Sequence, residues 1–203
     1  MRLSRFSTAL TDWGVERVEK AGLRDRRRAL LDGVTGDVLE IGAGSGLNID
    51  HYPPGVQLVL AEPDLHSRER LETRLASRGR DARVISARAE ELPFADASFD
   101  TVVSTLVLCS VKDPDAALRE VRRVLRPSGH LLLLEHVRGH GARAALQEIV
   151  APISRLLLSC APNRRTADLV RAAGFDLTEE PFELRGAPAW TRPAVQGAAI
   201  RRP

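Results

Sequence analysis

A chain of 203 residues suits one domain, or one domain with a short appendage. Hydrophobic residues at 43% can fill a core, charged residues at 28% suit a water-facing surface, and the longest apolar run, Leu131 to Leu134, is far short of a membrane span. The formal charge is only +3, Lys20 and Lys112 are the only lysines and aromatics are 4%, so the basic stripe with stacking rings that marks a nucleic-acid binder is missing.

The chain opens with MRLSRFSTALTDWG, where charges and hydroxyls break up every apolar stretch, so no secretory signal is expected and a reducing cytoplasm is the simplest home. Phe6, Leu10, Trp13 and Val18 recur at helical spacing, and Leu23, Leu30 and Leu31 continue the pattern after Gly22. The Arg24 to Arg28 cluster contains Asp25 and reads as a solvated helix surface. Asp37 to Gly42 is a short strand ending in glycine, and Leu58 to Ala61 is a second, stopped by Glu62-Pro63-Asp64. A helix follows over His66 to Ser77, then strands over Ala82 to Ser86 and Thr101 to Leu106. Asp115 to Leu125 is an amphipathic helix with Ala117, Leu118, Val121, Val124 and Leu125 inward, ended by Pro127-Ser128-Gly129 before a strand over His130 to Glu135.

Strands alternating with helices every 20 to 30 residues imply βαβ crossovers and a doubly wound parallel sheet. The fourth and fifth strands lack polar alternation, as expected when both faces are covered. After a helix over Arg164 to Ala173, Phe175 to Leu184 and Val195 to Ile200 follow with little room for a helix between them, which suits an antiparallel pair at the sheet edge. No linker interrupts the chain, so residues 1–203 read as one domain, with residues 1–35 as N-terminal helices able to form a lid and residues 137–163 as an insertion covering a pocket.

The segment Glu40-Ile41-Gly42-Ala43-Gly44-Ser45-Gly46 is a strand running into a glycine turn that lets a ligand approach the backbone. Glu62, at the end of the next strand, stands where a carboxylate can accept from two ribose hydroxyls. A dinucleotide turn needs a third glycine where Leu47 stands, and a phosphate loop needs Lys and Ser/Thr after Gly46, so a nucleoside without a pyrophosphate remains. An NAD-dependent oxidoreductase is disfavoured for the same reason.

Val38 to Gly46 resembles motif I of class I S-adenosylmethionine (SAM)-dependent methyltransferases. Ala89-Glu90-Glu91-Leu92-Pro93-Phe94 with Ser98-Phe99-Asp100 resembles the methyltransferase type 11 branch that includes ubiquinone/menaquinone methyltransferases. Ser104 to Val111, Glu120 to Pro127 and Glu135-His136-Val137 are similar to the thiol methyltransferases within it. The resemblance implies a Rossmann-like α/β fold, a doubly wound seven-stranded sheet, mostly parallel with an antiparallel C-terminal hairpin edge. It also implies SAM as cofactor, S-adenosylhomocysteine as product and a small-molecule acceptor, a thiol or a phenol/hydroxyl. Carried over by position, Glu40 holds the methionine amino end, and Gly42, Gly44 and Gly46 let the backbone pass it. Glu62 grips the ribose with Pro63 beside the adenine, Ala89 and Glu90 line the adenine edge, and Thr105 and Leu106 lie beneath the sulfonium. Two positions depart from the pattern: Ala87-Arg88 stands where relatives carry Gly-Asp, and Ala194 stands where many carry His.

Methyl transfer from a sulfonium needs alignment of the nucleophile and exclusion of water more than a strong base. The candidate base is His136, at the carboxyl end of the fifth strand; a histidine capping the strand is the equal alternative. Cys109 could face the pocket or be a small buried hydrophobe, and Phe6, Trp13 and Trp190 could wall the pocket or pin helices to the core. Asn163 is expected to cap the helix that follows it. Cys109 and Cys160 lack CxxC spacing, and the histidines lack ligand spacing, so no metal is expected. Leu146, Ile149, Val150, Ile153, Leu156, Leu157 and Leu158 give the insertion an apolar face that could roof the substrate pocket, join the core or meet a membrane surface. Two further readings stay open: a domain that binds SAM or its product without turnover, and a C-methyltransferase acting on a quinone-like or natural-product substrate.

Overall fold

The computed structural model describes residues 16–158 and 160–202. A π-helical turn, Glu19–Leu23, bends at Gly22 (φ 119°) into helix α1, Arg24–Leu31. Then come β1 (Asp37–Ile41), β2 (Gln57–Ala61), α2 (Leu65–Arg78), β3 (Arg83–Ile85), β4 (Phe99–Thr105), α3 (Pro114–Val124), β5 (Leu125–His136), α4 (Gly141–Leu158), α5 (Thr166–Ala172), β6 (Phe175–Glu183) and β7 (Pro193–Arg201). Helix starts follow local chemistry. The Asp64 carboxylate accepts from Ser67 N at 2.8 Å to cap α2, and Asp113 accepts from Ala116 N at 2.9 Å to cap α3, whose first residue is Pro114.

The strands form one seven-stranded sheet in the order β3-β2-β1-β4-β5-β7-β6. The first five run parallel; β7 is antiparallel to both β5 and β6. The α/β class, the doubly wound arrangement and the antiparallel C-terminal edge match the expectation from sequence. The strand order reverses between β1 and β4, the place where open α/β sheets form their ligand crevice.

Alternation along the strands sorts the core into two layers. Leu39, Ile41, Val102, Leu131 and Leu133 pack with Leu118, Val121 and Val170 on one face. Val38, Leu58, Leu60, Val103 and Leu134 pack with Leu31, Leu71 and Leu75 on the other. Helices α3 and α5 therefore cover the first face, and α1 and α2 the second.

Two elements differ from the sequence reading, and a third narrows alternatives it left open. Pro127-Ser128-Gly129 does not separate helix from strand; it lies within β5, where pairing jumps from Phe99↔Leu125 to Thr101↔His130. The intervening bulge lets Arg126 reach Asp37 at 2.8 Å and Asp100 at 2.6 Å. Asn163 does not cap α5, whose N-cap is Arg165 without a side-chain bond; its amide donates to Glu148 Oε2 at 2.6 Å instead. Of the three places left open for the apolar face of α4, the core is not the one taken by Ile149, Ile153 and Leu156. Ile149, Ile153 and Leu156 are 74%, 62% and 82% exposed, while Ala144, Gln147, Ala151 and Ser154 are buried. A second stripe of smaller residues, Ala144, Gln147, Ala151 and Ser154, also recurs at helical spacing, and it is this one that the fold buries.

Candidate functional site

The turn after β1 is held by its own backbone and by the neighbouring strand. Ala43 N donates to Ala61 O at 3.1 Å and Gly46 N to Ala43 O at 2.9 Å. Gly42, Gly44 and Gly46 all have φ between 55° and 81°. Two of them also have no room for a side chain: a Cβ would stand 2.6 Å from Val107 at Gly42 and 2.4 Å from Ile49 at Gly46. Gly44 differs, because its Cβ would meet nothing nearer than 4.0 Å. Its side of the turn faces free space at the crevice.

Glu62 directly follows β2, across from that turn. Its carboxylate is buried and accepts from Gly44 N at 2.8 Å through Oε2 and from Asp64 N at 2.9 Å through Oε1. Each oxygen keeps a lone pair for a further donor. Pro63 beside it is exposed.

Glu40, the fourth residue of β1, is 2% exposed and lies beneath the turn. Oε1 accepts from Asn48 Nδ2 at 2.9 Å and Oε2 from the Tyr52 hydroxyl at 2.7 Å. Burial raises its pKa to about 7, against the opposing pull of Tyr52, Arg27 and Asn48. Burial, reinforced by the Glu40 charge, also pushes the Tyr52 phenol well above its usual value.

This carboxylate belongs to a larger buried network. The Arg27 guanidinium donates to Glu19 Oε1 at 2.9 Å, to Asn48 Oδ1 at 2.9 Å and to Thr105 Oγ1 at 3.0 Å. Thr105 Oγ1 also accepts from Asn48 Nδ2 at 3.0 Å. Arg27 is 5% exposed, so the expectation of a solvated arginine surface fails at this position. A helical turn beginning at Glu19 brings the matching charge to it from inside the protein. Asn48, Tyr52, Arg27 and Glu19 were not among the residues singled out from sequence.

At the end of β4, Leu106 takes a left-handed conformation (φ 61°), strained for a non-glycine residue, with its N–H donating to Leu134 O at 2.8 Å. Beyond it, the buried Glu135 carboxylate gathers the next turn. It accepts from Ser104 Oγ at 2.7 Å, Val107 N at 2.9 Å, Leu108 N at 3.0 Å and Cys109 N at 3.3 Å. Burial raises its pKa despite those donors. Glu135 is thus committed to the backbone.

His136 ends β5 and is half-buried, with Nδ1 3.4 Å from Cys160 Sγ; Cys109 is 2% exposed and completes the cluster. Gln147 on α4 fastens this corner by donating to Val137 O, Pro162 O and Trp190 O and accepting from Gly139 N at 2.7 Å. Trp190 lies in a short turn, Ala189–Thr191, half-buried. Ala89 is buried, and Glu90 Oε1 accepts from Lys112 N at 3.0 Å, which links the segment before β4 to the loop after it. Phe6 and Trp13 lie outside the described residues.

A SAM-shaped ligand fits this donor set. Two buried carboxylates flank the turn, suited to an ammonium and to vicinal hydroxyls, and the open side of Gly44 leaves room above the backbone. Arg27, the cation beside Glu40, is itself paired with Glu19.

Comparison with known proteins places the chain. Residues 39–133 match the family described as "Methyltransferase domain". The human thiol S-methyltransferase TMT1B is 36% identical over 183 residues, covering 84% of this chain and 74% of that protein. Human thiol S-methyltransferase TMT1A is 32% identical over 172 residues, covering 81% and 70%. Among solved structures, a SAM-dependent methyltransferase from Thermotoga maritima, titled a possible histamine N-methyltransferase, superposes with a TM-score of 0.70 at 22% identity, covering 98% of this chain and 97% of that one.

Proposed function

Because the chain belongs to the SAM-dependent methyltransferases, we propose that it transfers a methyl group to the sulfur of a small-molecule thiol, with the cofactor seated on the turn between Glu40 and Glu62. The observation that carries the thiol reading is the similarity to two proteins named thiol S-methyltransferases over more than four-fifths of the chain. The chemistry at the ends of β4 and β5 agrees with it. The carboxylate there, Glu135, is tied to three backbone amides and Ser104, so it is not available to deprotonate an alcohol. A thiol, with an ordinary pKa near 8.5, is ionised by a few per cent at neutral pH and needs no such base.

When bound, SAM supplies an electrophilic methyl on a sulfonium. The chain's own residues hold and shield it. Glu40 would face the methionine ammonium from below the turn, and Glu62 would accept from the ribose hydroxyls while still holding Gly44 and Asp64. Pro63, Ala89 and Glu90 would border the adenine, and Thr105 with the strained Leu106 would fix the floor beneath the reacting carbon. His136 carries no base duty in this reading.

The test is product formation with SAM and a panel of alkyl thiols, aryl thiols and phenols. S-adenosylhomocysteine appearing with thiols, together with the S-methyl product, is the expected result. Turnover of phenols alone, or SAM binding without turnover of any acceptor, would overturn the reading.

A further inference from the structure

Cys109, His136 and Cys160 are 24 and 27 residues or more apart in sequence, yet the fold brings them together at the carboxyl edge of the sheet. Cys109 follows the turn after β4, His136 ends β5, and Cys160 follows α4. Cys109 Sγ, a His136 ring nitrogen and Cys160 Sγ lie within 4.8 Å of one another, and the Cys160–His136 pair is at 3.4 Å. Neither cysteine is joined in a disulfide. A tetrahedral zinc with bonds of about 2.3 Å to sulfur and about 2.0 Å to nitrogen sets ligand-to-ligand edges of about 3.5–3.8 Å. The Cys160–His136 edge stands at that spacing, and the other two edges lie within 4.8 Å.

The backbone at each ligand is pinned. Cys109 N donates to Glu135 Oε2 at 3.3 Å, and its carbonyl accepts from Ala161 N at 2.8 Å. The His136 carbonyl accepts from the Thr166 hydroxyl at 2.9 Å, and Cys160 N donates to Ser154 O at 3.4 Å. Such outer partners aim metal ligands and fix their spacing. The donor set is soft, with two sulfurs and an imidazole, and two thiolates would offset a divalent charge in a buried place. Three protein ligands with one position left over is the arrangement of zinc sites that act on a substrate.

We propose that Cys109, His136 and Cys160 are the protein ligands of a zinc-class cation whose fourth position takes the acceptor sulfur; the assignment of that fourth position rests on the thiol reading above. On binding, the sulfur replaces a water, its S–H proton passes to solvent, and no electrons move. The methyl carbon then leaves the sulfonium with formation of one S–C bond and cleavage of another. In this arrangement the imidazole of His136 is a ligand.

The experiment measures metal content of the whole protein purified without chelators, then follows the cobalt(II) form spectroscopically with thiophenol and no SAM. Expected are about one zinc per chain, sulfur-to-cobalt charge-transfer bands, and a shift of those bands on adding thiophenol. Cys160→Ser and His136→Ala should lose zinc affinity beyond the roughly 10–100-fold typical of outer partners, while far-ultraviolet circular dichroism stays that of the parent. A metal-free protein with two titratable thiols, a Cys109–Cys160 disulfide, or cobalt bands that ignore thiophenol would overturn the proposal. Thiol methylation by a protein shown to be metal-free would sink the metal site and leave the proposed function standing. Zinc binding without thiol methylation would do the reverse.

Discussion

The Tyr52 hydroxyl donates to Glu40 Oε2 at 2.7 Å, so the carboxylate under the glycine turn is held by a buried phenol. With Asn48 on the other oxygen, the carboxyl group is fixed in place whether or not a ligand is present. Its position is therefore built by packing and its charge is left to be set by what binds.

That arrangement predicts the pH dependence of cofactor binding. Glu40 holds its proton up to about 7, and the charged or polar groups around it are Tyr52, Asn48, Arg27 and Glu62. The ammonium of SAM needs the carboxylate, so affinity is full above about 7 and weakens as pH falls through it, approaching tenfold per unit. Titration calorimetry in buffers of different ionisation enthalpy should show a proton released on binding below that point, and Glu40→Gln should abolish both effects. The sign for folding is opposite: the unfolded chain loses this proton near 4.5 and the folded one near 7, so the group lowers stability as pH rises between them.

Glu62→Gln should weaken SAM by roughly 10-fold or more, since a charge-assisted bond to a hydroxyl becomes a neutral one. Binding by the variant as tight as the parent's would remove the ribose role from this side chain. The readout is a dissociation constant paired with a melting temperature, because Glu62 also holds Gly44 and Asp64.

Two glycine substitutions separate folding from binding. Gly42→Ala forces a methyl within 2.6 Å of Val107 and should lower the melting temperature strongly. Gly44→Ala meets open space, so its folding cost is the left-handed strain of about 1–2 kcal/mol. Its methyl projects into the crevice, and SAM affinity should fall further than stability does.

Arg27→Met leaves Glu19 as an unpaired buried charge and should cost about 3–5 kcal/mol in a denaturant titration. Adding Glu19→Gln should restore most of that loss. A single variant no less stable than the parent would mean that the pair contributes nothing.

Changing Ile149, Ile153 and Leu156 to Gln should move stability by no more than about 0.5 kcal/mol per site, because all three side chains face water on α4. SAM affinity should be unchanged. A large loss of stability would place the stripe in the core after all.

Much of the fold was legible because each strand is short, apolar and bounded by turn residues. Asp37 to Gly42 and Thr101 to Leu106 fall on β1 and β4 within two residues at either end. The glycine turn and Glu62 were legible for the same reason: their chemistry is local. What sequence could not show depends on pairing at a distance. Arg27 looks like any surface arginine until Glu19 and Thr105 are folded onto it. The apolar stripe of α4 was visible, but a stripe does not say which side the sheet will take when a row of small residues competes. Cys109, His136 and Cys160 have no ligand spacing because two separate crossovers, through α3 and through α4, bring them together.

The placement of β7 between β5 and β6 has a consequence for how the molecule is made. Among the described residues, strand β6 pairs only with β7, and His136 at the tip of β5 pairs with Ala194. Until residues 193–201 have emerged from the ribosome, the sheet lacks its bridge and the corner that carries His136 stands as an open edge. Assembly of that corner is therefore a late event during synthesis, and a nascent chain arrested before Pro193 should present β5 to any passing strand or chaperone.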